Sequence, residues 1–149
     1  TARAHPDRFA SAALVTVEVF PGSCEPLPVV AFNGREDTVA PYGAGGADVD
    51  TSGSPNAGLP AARDNIAAWA ESGGCDADPV VDQQGDDVTR WTYTNCEPGV
   101  DVELYTIDGG QHTWPGSAIK IGPPSATTDT IDATVLALDW FDVHPRRPA

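Results

Sequence analysis

Val102-Glu103-Leu104-Tyr105-Thr106-Ile107-Asp108-Gly109-Gly110-Gln111-His112-Thr113-Trp114-Pro115-Gly116 reads as an alternating strand that runs into a glycine-rich turn and projects one imidazole from its end. An upstream segment repeats the arrangement with an acid. In Pro28-Val29-Val30-Ala31-Phe32-Asn33-Gly34-Arg35-Glu36-Asp37-Thr38-Val39-Ala40-Pro41-Tyr42 a continuous apolar run, suited to a buried parallel strand, ends in a turn that carries Asp37. Between the two lies a helix. Leu59, Ala62, Ile66, Trp69 and Ala70 recur at helical spacing, and Ser72-Gly73-Gly74 supplies the stop.

Strand, helix and strand in that order imply a right-handed crossover and hence parallel strands. Neighbouring parallel strands lie about 4.8 Å apart, so loops at their carboxyl ends bring side chains together. Asp37 and His112 are therefore expected to hydrogen-bond. In such a pair the carboxylate fixes the imidazole tautomer and stabilises the imidazolium formed when the ring takes a proton from a nucleophile. Plainer roles exist for both: Asp37 as the cap of the turn at Thr38-Val39, and His112 as a histidine bonded to a backbone carbonyl.

Outward from this core, Ala12 to Phe20 reads as another strand and Pro21 to Pro26 as a turn-rich connector. Thr1 to Phe9 reads as the frayed end of a helix, and Gly43 to Gly58, rich in Gly, Ala, Ser and Asp, as a mobile surface loop. Val80-Val81 and Val88 to Tyr93 form two short strands about Gln84-Gly85-Asp86, an antiparallel excursion in which Trp91 and Tyr93 alternate on a half-buried face. Thr128 to Val143 is a final helix, with Thr128 as N-cap and Ile131, Val135, Leu138 and Phe141 on its buried face. Trp69 and Trp140 belong to the core, whereas His5 and His144, each before a proline, read as exposed punctuation.

The 149 residues make one domain, with 22 acidic against 8 basic residues and a formal charge of −14. Such a chain repels phosphate backbones and anionic membranes, so neither nucleic acid nor a membrane is expected as a partner. No apolar run approaches a membrane span, and Thr1 to Pro6 is no signal peptide. Of the three cysteines, Cys75 and Cys96 are well placed to close a loop and Cys24 is left over; three reduced thiols are the other reading. Asp82, Asp86 and Asp87 lack a calcium-loop signature and read as solvated carboxylates. No metal or cofactor is called for.

The stretches Ala31 to Tyr42 and Tyr105 to Gly116, with Thr130-Ile131-Asp132-Ala133-Thr134 and His144-Pro145, resemble the polyhydroxybutyrate depolymerase and feruloyl esterase group of α/β-hydrolases. His5-Pro6-Asp7-Arg8-Phe9-Ala10 resembles the segment after that family's nucleophile helix. The resemblance covers nearly the whole chain but only the second half of the family's domain. It implies a truncated α/β-hydrolase: about three main parallel strands with flanking helices and a small antiparallel insertion. By position it makes Asp37 the triad acid and His112 the base, matches Cys75 and Cys96 to a pair that tends to be bridged, and implies a secreted protein. Tyr42 and Trp114 are the residues expected to meet an ester or polyester substrate.

Two departures stand out: Asn33 where the family usually shows His, and Gln111 in place of a third glycine before the His. The larger one is the nucleophile. No Gly-x-Ser-x-Gly elbow precedes the acid and the histidine, and Ser23, Ser52, Ser54, Ser72, Ser117 and Ser125 all lack the flanking glycines. The expected activity is carboxylic-ester hydrolysis with acid and base in place, against the alternative of a non-catalytic homologue that binds ester or polymer surfaces. An uncovered sheet edge at the Leu14 strand further implies a homodimer or higher homo-oligomer.

Overall fold

The computed structural model describes residues 8–43 and 61–146. The expectations for Thr1 to Asp7, for Leu59 and for most of the Gly43 to Gly58 loop lie outside the described residues. Two strands form the centre of the fold, β2 (Val29–Gly34) and β5 (Val102–Ile107), and every residue of both is buried. Side chains alternate between the two faces of a strand, so a strand buried throughout needs cover on both sides. Val29 and Ala31 face one cluster with Val102 and Leu104, while Val30 and Phe32 face the other with Tyr105 and Ile107.

β1 (Ala12–Val15) pairs in parallel with β2, and β2 in parallel with β5, in a register that places Phe32 beside Tyr105 and Gly34 beside Ile107. β3 (Val80–Gln84) and β4 (Val88–Tyr93) form an antiparallel hairpin about Gly85, whose φ of 65° suits glycine. The hairpin is no separate excursion. β4 is hydrogen-bonded antiparallel to β5, giving one mixed five-stranded sheet of order β1-β2-β5-β4-β3. With the two α-helices among the described residues it is an α/β fold.

α1 (Ala62–Ser72) covers the first face through Ala62, Ile66, Trp69 and Ala70. The Asp64 carboxylate accepts from the Ala61 N–H at 3.2 Å, and Gly73 and Gly74 close the helix by donating to Trp69 and Glu71 carbonyls. Beyond it, Cys75 and Cys96 are joined by a disulfide across a separation of 21 residues, while Cys24 is free.

Four expectations are corrected. The first strand stops at Val15 rather than Phe20, because Thr16 takes a φ of 50° and turns the chain while its N–H still donates to Phe32 O. α2 (Ala133–Val143) is capped by Asp132, whose Oδ1 accepts from the N–H groups of Thr134 and Val135, and not by Thr128, whose hydroxyl accepts from Thr130 N–H before the helix begins. The buried stripe of α2 is Ala133, Ala137 and Trp140, and Val135, Leu138 and Phe141 face outward. Apolar residues occur on more than one side of this helix, so periodicity does not select the face; the small alanines let it approach β1 and β2 closely. His144 is likewise not exposed. Its imidazole is 12% exposed and lies between Trp140 O and Asp101 Oδ2, each 2.8 Å from a ring nitrogen.

Candidate active site

The parallel pairing of β2 with β5 sends both chains out at the same end of the sheet, where two glycines let the following loops touch. A Cβ on Gly34 would lie 2.2 Å from Gly110 O, and one on Gly110 would lie 2.8 Å from the Ile107 side chain. Glycine at both positions is thus a requirement of close backbone approach. Arg35 N–H donates to Ile107 O and Glu36 N–H to Gly110 O, and the Arg35 guanidinium meets Asp108 at 3.2 Å. The far side of the second loop is held by Gln111 N–H and the Thr113 hydroxyl, which both donate to Ala126 O.

This frame sets His112 Nδ1 3.0 Å from Asp37 Oδ2. A carboxylate only accepts, so Nδ1 carries the hydrogen and donates it, leaving the Nε2 lone pair as the basic site. Asp37 is 0% exposed, and its other oxygen, Oδ1, accepts from Val39 N–H at 2.7 Å and Ala40 N–H at 2.8 Å. The cap and the imidazole partner are therefore one residue acting through two oxygens. The His112 side chain is 44% exposed, and among the described residues no hydrogen bond engages Nε2.

Glu18 was not among the residues singled out by sequence. It lies just beyond β1, at the same end of the sheet, with its Oε1 3.5 Å from Asn33 Nδ2. Burial first, and then the nearby charge of Asp37, push its carboxyl up to about 7, against smaller lowering effects from its own backbone hydrogen bond and from His112. The signal that would have found it, an acid three residues past a strand end, was hidden because the alternation of Val15 to Phe20 masks the turn at Thr16.

The remaining expected residues separate. Trp114 is half exposed near His112, its indole N–H donating to Thr134 Oγ1 at 3.0 Å. Tyr42 is buried in the core, and its hydroxyl shares a hydrogen bond with Thr106 Oγ1 at 2.8 Å, so its ring offers no surface to a polymer. Among the described residues no group of three or more His, Cys, Asp or Glu side chains is arranged to hold a metal ion, and no helix is long and apolar enough to cross a membrane.

An α/β sheet with a buried acid and an exposed imidazole at the carboxyl ends of adjacent parallel strands is the setting of acid-base chemistry. Known proteins agree with that class. The chain is 35% identical to Feruloyl esterase B of Piromyces equi over 94 residues, covering 61% of this chain and 17% of that protein. It is 29% identical to "Putative esterase NocK" of Nocardia uniformis subsp. tsuyamanensis over 154 residues, covering 92% of this chain and 45% of that protein. The chain is thus similar to esterases and spans less than half the length of these relatives. No family model matches it.

Proposed function

We propose that this chain carries the acid and the base of a carboxylic-ester hydrolase of the polyester or aromatic-ester type. The observation that supports it most is the 3.0 Å bond from His112 Nδ1 to a fully buried Asp37, with the imidazole itself partly exposed. In the reaction Nε2 takes the proton of an attacking hydroxyl as its oxygen bonds to the ester carbonyl carbon. Asp37 holds the ring and stabilises the imidazolium, and the same proton then passes to the departing alkoxide. Water repeats the sequence on the acyl intermediate.

None of the serines in these 149 residues sits in a Gly-x-Ser-x-Gly turn, so the attacking hydroxyl is that of a serine brought in by a partner subunit. Similarity to a protein named as a feruloyl esterase favours aromatic esters, and exposed Trp114 offers such a group a flat apolar surface. The Cys75–Cys96 disulfide fits an extracellular setting. The outer edge of β1 has no partner strand among the described residues, and α2 presents Val135, Leu138 and Phe141, so a second copy is expected to associate there. Sedimentation as a monomer at micromolar concentration removes that association.

Labelling by a fluorophosphonate tests the catalytic reading. The protein in its assembled state reacts at one serine, and His112→Ala abolishes the reaction. Absence of labelling, or labelling unchanged by His112→Ala, favours the alternative of a homologue that binds esters or polymers without turning them over.

A further inference from the structure

We propose that Glu18 is a third working member of the Asp37–His112 site, a carboxyl that Asn33 fixes beside the acid and the imidazole so that it positions charge around the base. This rests on the hydrolase reading for its chemical meaning, but not for its test. Three anchors hold the segment: Thr16 N–H donates to Phe32 O, the indole N–H of Trp69 donates to Val19 O at 2.6 Å, and the amide of Asn33 meets Glu18 Oε1 at 3.5 Å. Asn33 is 2% exposed on β2, four residues before Asp37, so it ties the end of β1 to the acid loop. Two titratable groups act electrostatically on Glu18, Asp37 on the loop after β2 and His112 on the loop after β5; α1 meets this segment through the neutral Trp69 indole.

The chemistry follows from charge. A protonated Glu18 leaves Asp37 as the one anion of the trio. Once ionised, Glu18 is a second anion facing the ring, and by reciprocity of the coupling it stabilises the imidazolium that forms as His112 accepts a proton. Glu18 is a positioning residue, acting on the base through space and taking no bond to the reacting atoms. Its contribution grows as the solution passes through neutrality.

Carbon-13 NMR of the Glu18 carboxyl in the intact protein reads this directly. In the wild type it titrates near neutrality. Asp37→Asn moves the step down and His112→Gln moves it up, each by roughly half a unit or more. Should Asp37→Asn fail to fold, the upward move in His112→Gln decides alone. A Glu18 carboxyl that titrates in the ordinary glutamate range, or whose step ignores the partner substitutions, overturns the proposal. In ester hydrolysis, Glu18→Gln lowers kcat/KM by roughly three- to tenfold, about half to one unit of coupling, with a loss that widens as pH rises through 7. A loss equal at every pH marks a merely structural role and overturns it. A wild type with no esterase activity counts against the hydrolase reading, while the NMR titration still decides this one.

Discussion

His112 and Asp37 share a single bond, Nδ1 to Oδ2 at 3.0 Å, and the oxygen that makes it is not the one that caps the Asp37 turn. The imidazole can therefore be uncoupled without releasing the loop, and the loop can be released by deleting the carboxyl altogether.

Asp37→Asn keeps Oδ1 as acceptor for Val39 and Ala40 and presents an amide to the ring. Asp37→Ala removes the side-chain acceptor of both N–H groups, of which that of Ala40 is buried. Urea unfolding is expected to show Asp37→Ala destabilised by about 1–3 kcal/mol for unsatisfied donors, and Asp37→Asn by clearly less. Equal losses would mean that the Oδ1 cap contributes nothing.

Gly34→Ala tests the contact between the loops. Its Cβ would fall 2.2 Å from Gly110 O, which is backbone and cannot swing aside. A loss of about 1–3 kcal/mol or more is expected, as for overpacking elsewhere. The His112 ring resonances are also expected to show loss of the Asp37 bond. A variant as stable as wild type would contradict the close approach.

Stability against pH follows from Glu18. Its folded value, about 7, lies above the ordinary 4.5, so the folded state binds the proton more tightly than the unfolded chain. The associated stability is fully present below pH 4.5 and is lost as pH rises through about 7. Glu18→Gln removes that slope, so thermal midpoints of variant and wild type diverge in the variant's favour between pH 5 and 7.5. Parallel curves would refute the buried carboxyl.

Reduction of the Cys75–Cys96 bridge opens a loop of 21 residues, for which chain entropy gives about 3 kcal/mol. Urea midpoints with and without reductant, and in a Cys75→Ala, Cys96→Ala double variant, measure this. Because the bridge lies beyond the end of α1, remote in sequence from the Asp37 and His112 loops, the Asp37–His112 bond is expected to survive its loss.

Legibility of the sequence varied with how local the determining physics was. Continuous burial of Val29 to Gly34 and the glycine turns after both strands are written in residue type, and these place Asp37 beside His112, whereas Val102 to Ile107 alternates in sequence yet is buried throughout. What escaped depended on single backbone angles or on which of several apolar sides meets the sheet. Thr16 in the left-handed region has no compositional warning, so Glu18 was read as one more strand residue. The buried side of α2 was misjudged because alanines, not the larger Val135, Leu138 and Phe141, fit against the sheet. Tyr42 was read as a substrate contact, since nothing local announces its bond to Thr106 on β5.

Turnover of a soluble aryl ester and of an aromatic polyester film shows whether Asp37 and His112 form a working acid–base pair for ester hydrolysis. Wild type is compared with His112→Ala and Asp37→Ala, each first shown to be folded by circular dichroism. Wild type is expected to hydrolyse both substrates, and the rate to fall by about a hundredfold or more in both variants, in line with loss of a general base and its partner. Wild type and variants that are equally inactive, or equally active at trace level, would contradict a working pair.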